Sequence, residues 1–561
     1  MAVAFSAPVA QAVTGLASVF RSPNLRRLEL AYAASLIGLW GYSIAFVVYA
    51  FEAGGATLVG VAAVVRLLPA AVAAPFAALL ADRHSRRLVM LLTDLCRALV
   101  IAAMAVAVAS ETPVAAVFGL AGLMGVLSTA FEPAKNALLP SLVDDPEQLT
   151  AANVATSTLE STAIFAGPAI GGLVLALAST EAALAVTAAL LVCSAALLAR
   201  IDAKPAPDPK AERDEPPQQE SLAEQLLGGA RAIIADRRIA LVMGLLSAQV
   251  LVAGALGVFV VVIALELLEL GSGAVGLLNS AAGIGGLLGA VAALAAAAKR
   301  GLAGTFGIGI VAWGLPLLLI AAWPEPVVAF VAFGLLGIAN TVVDSTGLTL
   351  LQRTTPDHLS GRVFGVLETL VIIGLALGSL LTSLLLAAAG TVASLVIVGA
   401  FLPTLALLAW PALRRIDAEM PPPEHELELL RGVPLFAPLA LSSLEQLATR
   451  LERVRCPAGS EVIRQGETGD RFYVIESGEV EVFEDGIAAR REGPGDFFGE
   501  IALVRDMPRT ATVVALTDLE LLALEREPFI ATVTGHARTR EAADAVIQAR
   551  LGSVRAAAGS V

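Results

Sequence analysis

Apolar stretches of about 20 residues recur from Leu28 to Trp410, and they constrain this chain more than any other feature. A helix of that length spans a ~30 Å hydrocarbon layer. Twelve are read, near 28–51, 58–80, 88–109, 113–133, 152–178, 181–200, 239–265, 273–297, 302–322, 326–349, 361–388 and 391–412. Composition agrees. Of 561 residues, 57% are hydrophobic and 16% charged, against roughly 45–50% and 25% in soluble domains. The abundant Gly and Ala inside these stretches suit helices that pack closely in lipid.

Charge placement tests the count. The loops around Glu52, Ser110–Pro113, Ser179–Glu181, Glu266–Ser272, Trp323–Pro326 and Gly390–Thr391 hold no Lys or Arg. The alternate connections hold Arg21, Arg26 and Arg27; Arg83, Arg86 and Arg87; Lys135; Arg200 to Arg238; Lys299 and Arg300; Arg353; and Arg414 and Arg415. Positive charge marks the cytoplasmic side. The alternation predicts an even number of crossings of an inner or plasma membrane, with both termini cytoplasmic. The mildly apolar first residues have no basic residue ahead of them, so 1–27 is expected as a cytoplasmic arm, not a secretory signal.

Two breaks divide the chain. Residues 202–220 are rich in Pro and charge and are expected to stay solvated, with a short surface helix after them. Residues 413–426 include three prolines that favour an extended spacer. The expected organisation is a six-helix half at 28–200, a linker at 201–238, a second half at 239–412, a linker at 413–432 and a soluble domain at 433–561. A weak repeat supports two equivalent halves. PEQLTAAN (146–153) opens the fifth span and PDHLSGRV (356–363) the eleventh, each with Pro, an acid, Leu three after the Pro, then a hydroxyl. Parallel six-helix repeats are one transporter plan.

The loop between the second and third spans carries Asp82, Arg83, Arg86 and Arg87. It resembles the signature G-x-x-x-D-R-x-G-R-R of the major facilitator superfamily, with Ala78 and Ser85 in place of the two glycines. AFEPAKNALLPSLV (130–143) and GPAIGG (167–172) look like the siderophore and macrolide exporters of that superfamily. The resemblance covers 25–412 and implies a secondary transporter with an alternately exposed central site. Asp82 with its arginines can latch two helices in one conformation. Simple orientation by the arginines is the competing reading. Glycines 167, 171 and 172 with Pro168 allow a bend or close packing.

Charges inside spans are costly in hydrocarbon and point to function. Arg66, Asp94, Arg97, Glu160, Asp344 and Glu368 lie within spans. Asp94 and Arg97 are spaced i, i+3, where a structural pair can form. The acids Glu160, Asp344 and Glu368 are candidates for binding and releasing a proton during export, with structural pairing the alternative. Few polar groups line any one span, which favours an amphipathic small-molecule substrate.

From 433 the pattern changes to short β-branched runs punctuated by Gly466, Gly469 and Gly478, the signature of an all-β roll with flanking helices. Gly499 permits close backbone approach to a ligand. Glu500-Ile501-Ala502-Leu503 can start a helix whose N–H groups face an anion. Arg509 can grip a phosphate through paired hydrogen bonds, and Glu500 can accept from ribose hydroxyls. The segment FGEIALVRDMPRTAT (498–512) resembles the phosphate-binding cassette of cyclic-nucleotide-binding domains at every defined position of F-G-E-[L/I]-A-L-x-x-x-x-P-R-x-A-T. The resemblance implies Glu500 on the 2′-hydroxyl, and Arg509 with the Gly499–Ala502 backbone on the phosphate. Thr510 stands where some cyclic-GMP domains reach guanine. The same residue occurs in other such domains, so cyclic AMP is kept ahead of cyclic GMP. A base-capping residue is expected from 538–551.

Other classes fit less well. Region 433–561 has 14 basic and 20 acidic residues and no helix-turn-helix after its last helix, so no nucleic acid is expected. No filter or Arg-rich voltage helix suggests a channel. His84, His358, His425 and His536 are scattered, as are Cys96, Cys193 and Cys456, so no metal or cofactor is expected. No constellation suggests an enzyme. The remaining rival to a transporter is a membrane sensor that uses the same helical scaffold to anchor the nucleotide module.

Overall fold

The apolar stretches become helices packed in two groups. The computed structural model divides the chain into two units, Met1–Glu419 and Met420–Val561. It describes residues 19–143, 146–202, 222–297, 301–419, 424–439, 441–448, 450–534, 539–540, 542–548 and 550. The arm before residue 19, linker residues 203–221, Lys299, Arg300 and the tail from 551 lie outside the described residues.

Among the described residues, eleven helices are long and apolar enough to cross a membrane. The first, α1 (Pro23–Arg83), has 61 residues and would run roughly 90 Å if straight. It breaks at Gly54 and Gly55. Gly55, at φ +65° and ψ −163°, occupies a region open essentially to glycine alone. The break separates the expected spans 28–51 and 58–80 and falls two residues beyond Glu52, around which the loop was expected. The next helices are α2 (Arg86–Ala109), α3 (Val114–Ser128), the short α4 (Phe131–Leu138), α5 (Pro146–Leu177) and α6 (Thr180–Leu198). The short α7 (Leu222–Ala235) matches the expected surface helix. The second group is α8 (Arg237–Val262), α9 (Ser272–Ala297), α10 (Leu302–Ala322), α11 (Pro326–Thr354), α12 (Asp357–Ala389) and α13 (Thr391–Glu419).

The groups meet where α1 packs on α12 and α5 on α9. The α1 contact lies after the glycine break, since Ser383 Oγ donates to the Ala56 carbonyl at 2.7 Å. The α5–α9 contact needs glycine. A Cβ on Gly172 would meet the Gly273 oxygen at 2.7 Å and the Gly276 Cα at 2.8 Å. Larger residues would push these helices apart.

Two sequence expectations change here. Lys135, read as a cytoplasmic loop charge, lies within α4 and is 2% exposed. Acids and an aromatic ring surround it, so its charge is compensated locally. The stretch 413–426, read as an extended spacer, is helical over its described residues. The helix α13 continues to Glu419, and Asp417 accepts from the backbone of Ala303 and Gly304 at 2.8 Å each, capping α10. The following α14 (Glu424–Gly432) buries Leu430 in the core of the second unit.

The second unit is a pair of antiparallel four-stranded sheets. Its strands are β1 (Glu452–Cys456), β2 (Glu461–Ile463), β3 (Arg471–Ser477), β4 (Val480–Glu484), β5 (Ile487–Glu492), β6 (Phe497–Phe498), β7 (Thr512–Ala515) and β8 (Leu519–Glu525). The strand orders are β1-β8-β3-β6 and β2-β7-β4-β5. Ile475, Val480, Val482, Val513 and Leu521 share a core. A second core joins Phe472 and Phe497 to Phe436 and to Phe529 on α17 (Arg526–Thr534), with α15 (Leu441–Ala448) packed beside them. Between β6 and β7 lies the six-residue α16 (Glu500–Arg505).

Candidate functional site

Strand β6 ends at Phe498, and the chain turns through Gly499 at φ +92° before α16 begins. A Cβ there would lie 2.7 Å from an Arg509 nitrogen, so the turn and the arginine require glycine. Arg509 is 5% exposed. It donates to the carbonyls of Gly499 at 2.9 Å and Arg471 at 2.7 Å, and its Nη2 lies 3.4 Å from Asp470. Its backbone N–H donates to Glu467 and its carbonyl accepts from Gly466, stitching the β2–β3 turn to the cassette. Burial lowers its pKa from the ordinary arginine value, against the pull of Tyr473 and Asp470.

Glu500 is 1% exposed. Arg550, fifty residues on, donates to its Oε1 at 2.7 Å, to the Phe497 carbonyl at 2.8 Å, and lies 4.3 Å over the Phe497 ring. Arg550 also lies 3.2 Å from Glu492, which Arg490 holds at 2.8 Å. The Glu500 Oε2 is buried with no hydrogen-bond partner. Burial pushes this carboxyl above the usual range, and the Arg550 guanidinium pulls it back. Gly499, Glu500, Ile501, Ala502, Arg509 and Thr510 all line one cleft, with Arg490 beside them. Its volume, about 30 Å³, is close to that of one water molecule. Arg550 falls in the stretch expected to cap the base, but it touches Glu500. Arg538 and Leu551 lie outside the described residues.

In the membrane unit, two apolar chambers of about 300 and 340 Å³ share Trp40, Ala253, Leu256 and Asn279 from α1, α8 and α9. Arg66 lines the first and donates to Ser43 at 2.9 Å. Trp313 and Asn340 line the second. Asn340 accepts from Trp313 at 3.0 Å and Gln249 at 2.9 Å, and donates to Asp344 at 2.8 Å. Asp344 therefore reaches the chamber wall through one amide. Asp94 and Arg97 form a buried pair inside α2, completed by Ser35 and by Ser194 at 2.5 Å. Glu160 meets Tyr32 at 2.6 Å and Lys135 at 3.4 Å. Glu368 is exposed on α12. Arg86 and Arg87 cap the carbonyl ends of neighbouring helices, Arg86 on Ala137 at 2.9 Å and Arg87 on Leu198 at 3.0 Å. The side chains of Asp82 and Arg83 lie outside the described residues. Sequence reasoning missed Arg550, Arg490, Glu492, Tyr32 and Glu132, because each gains meaning only from a partner distant in sequence or from burial.

The family described as Major Facilitator Superfamily matches residues 28–304 and 245–451. The chain belongs to that superfamily. In this superfamily member, the cyclic nucleotide-binding domain family matches residues 453–536. The cAMP-dependent protein kinase regulatory subunit of Aspergillus niger is 42% identical over 106 residues, 18% of this chain and 25% of that protein. That of Aspergillus fumigatus is 43% identical over the same shares. The chain thus spans about a quarter of the curated relatives it matches. Among solved structures, the regulatory domain of Toxoplasma gondii PKA with cAMP aligns at 33% identity and TM-score 0.19, covering 19% of this chain and 43% of that one. Thermus thermophilus Catabolite Activator Protein aligns at 30% identity and TM-score 0.21, covering 23% and 62%. The superfamily match and the eleven apolar helices make this a multi-pass membrane protein, and residues 453–536 match the cyclic nucleotide-binding domain family.

Proposed function

We propose that the chain is a proton-coupled exporter of an amphipathic small molecule, gated by cytosolic cyclic nucleotide, with cyclic AMP ahead of cyclic GMP. It crosses the inner or plasma membrane twelve times, α1 crossing twice around Gly55, and keeps both termini in the cytoplasm. The carrying observation is the pair of chambers bounded by both helical groups. They are mostly apolar, with Arg66, Ser43, Asn279, Ser379, Ser161, Asn340 and Thr341 as the polar points, a lining that suits an amphipathic guest. The nucleotide reading rests on Glu500 and Arg509 flanking one cleft, with Glu500 Oε2 buried and available to a ribose hydroxyl. The regulatory subunits it resembles carry cAMP in their names, which supports cyclic AMP.

The test uses the full chain in liposomes with an imposed pH gradient and ethidium as the transported molecule. Flux should follow the gradient and change several-fold when cyclic AMP is present on the side of the nucleotide unit. Arg509→Glu should abolish the nucleotide response. Absence of net flux under every condition, with nucleotide binding intact, would favour the anchored-sensor reading.

A further inference from the structure

Near the Asp94–Arg97 pair lies a second charged group, which no single helix contains. Tyr32 on α1 stands between Glu132 on α4 and Glu160 on α5. Its Oη is 2.7 Å from Glu132 Oε1 and 2.6 Å from Glu160 Oε1. Lys135 completes the group, 3.1 Å from Glu132 and 3.4 Å from Glu160, with its Nζ 3.5 Å from the Tyr32 ring centroid.

Hydrogen counting constrains this array. A phenol carries one hydrogen and can donate to one carboxylate only. The second contact is equally short. It is a hydrogen bond only if the other carboxyl carries a hydrogen and donates it to the phenol oxygen. Two ionised carboxylates on one phenol oxygen would leave a bare lone-pair contact at a distance typical of charge-assisted O–H···O bonds. Independently, Glu29 lies one turn before Tyr32 on α1. It is 1% exposed, accepts from Thr156 at 2.8 Å, and leaves its Oε2 without a partner. Thr156 in turn lies one turn before Glu160 on α5. The two helices are thus bridged by two successive carboxyl–hydroxyl contacts. The neighbouring Asp94 has both oxygens bonded, to Arg97, Ser35 and Ser194, while Arg97 Nε is buried without a hydrogen-bond partner.

We propose that Tyr32, Glu132 and Glu160 form a proton-binding site that holds one hydrogen between the two carboxyls, with Lys135 setting its affinity. This names the coupling site of the proposed exporter and rests on that reading for its use, though not for its proton. The Lys135 ammonium lies within reach of both carboxylates, 3.1 Å from one and 3.4 Å from the other. Both carboxylates are partly exposed, at 47% and 41%. Movement of α1 against α5 separates Tyr32 from Glu160. The shared hydrogen then loses one of its two oxygens and leaves to water, and Lys135 neutralises the remaining carboxylate pair in part.

Infrared difference spectroscopy of the purified full-length protein between acidic and alkaline pH tests this without substrate or flux. The wild type should show a protonated-carboxyl band that titrates away. Glu132→Gln and Glu160→Gln should each remove it. Lys135→Met, which deletes the opposing positive charge, should move its midpoint upward by about one pH unit or more. An unchanged band in both Gln variants overturns the proposal, as does loss of the band on replacing potassium with sodium. Should a Gln variant fail to elute as a single species, an unshifted midpoint in Lys135→Met is sufficient to overturn it. A band that behaves as expected in a protein without flux leaves the site standing and removes the exporter reading instead.

Discussion

Two carboxylates, Asp94 in the membrane unit and Glu500 in the nucleotide unit, are equally buried and each is paired with an arginine, but their surroundings differ. Arg97 lies three residues from Asp94 on the same helix, and Ser35 and Ser194 complete both oxygens. Glu500 receives its cation from fifty residues away and keeps one oxygen without a partner. A buried charge group with every oxygen satisfied from fixed elements holds helices together. One left half satisfied, with its cation on a separate element, can exchange that cation or take a ligand. The comparison separates a structural pair from a binding site without reference to fold.

The largest expected effect tests the closed pair. Asp94→Ala leaves Arg97 buried without its counter-charge and should cost about 3–5 kcal/mol, read as a collapse of the thermal midpoint in detergent. Combining Asp94→Leu with Arg97→Met should recover most of that loss. An unchanged midpoint in Asp94→Ala would break the comparison at its first half.

Next comes Glu500→Gln, which removes a charged acceptor for ribose. Cyclic AMP affinity, measured by calorimetry on the full chain, should fall roughly ten- to hundredfold, or about 1.5–3 kcal/mol. Full retention of affinity would mean that the unpartnered oxygen is not the ribose acceptor.

A smaller effect, and the sharpest in sign, concerns Arg550→Met. Burial raises the folded-state pKa of Glu500 above its unfolded value. The folded state therefore holds that proton more tightly, and stability falls as pH rises through the window above the ordinary carboxylate value. Removing Arg550 takes away the partner that pulls the pKa down, so the window moves upward. The variant should lose about 1–2 kcal/mol at about pH 8 and less at about pH 5, where Glu500 can protonate. Equal losses at both pH values would show that Arg550 acts through packing on Phe497 alone.

The smallest effect refines the comparison. Ser194→Ala deletes one hydrogen bond to Asp94 and should cost about 1 kcal/mol. Asp470→Ala removes a 77%-exposed partner of Arg509 and should change stability by less than about half of that. The order of these two midpoints checks whether burial, not the number of contacts, sets the worth of each bond.

Much of the architecture was legible in the sequence because it depends on local length and composition. Leu28 to Trp410 could be read as apolar spans, and 498–512 as a cassette, since its residues lie together along the chain. Asp94 and Arg97 could be paired from helical spacing alone. Lys135 was misread because a basic residue between apolar stretches looks like a loop marker unless its neighbours in space are known. The segment 413–426 was misread because three prolines obscured the helix that begins just after them, at Glu424. Glu160, Asp344 and Glu368 looked alike in sequence. The structure gives them different surroundings: a phenol and a lysine, an amide at a chamber wall, and an exposed helix face.

The sequence by itself determined that long apolar segments recur from Leu28 to Trp410, the change to a β roll near 433, and the chemistry of the cassette, because hydrophobic length, strand periodicity and motif spacing are written along one dimension. Only the tertiary structure decided that Arg550 belongs to Glu500, and that Tyr32 stands between Glu132 and Glu160. Those are contacts between residues 50, 100 and 128 positions apart. Hydrogen bonding acts over about 3 Å of space whatever the separation in sequence, so no pattern along the chain encodes such partners.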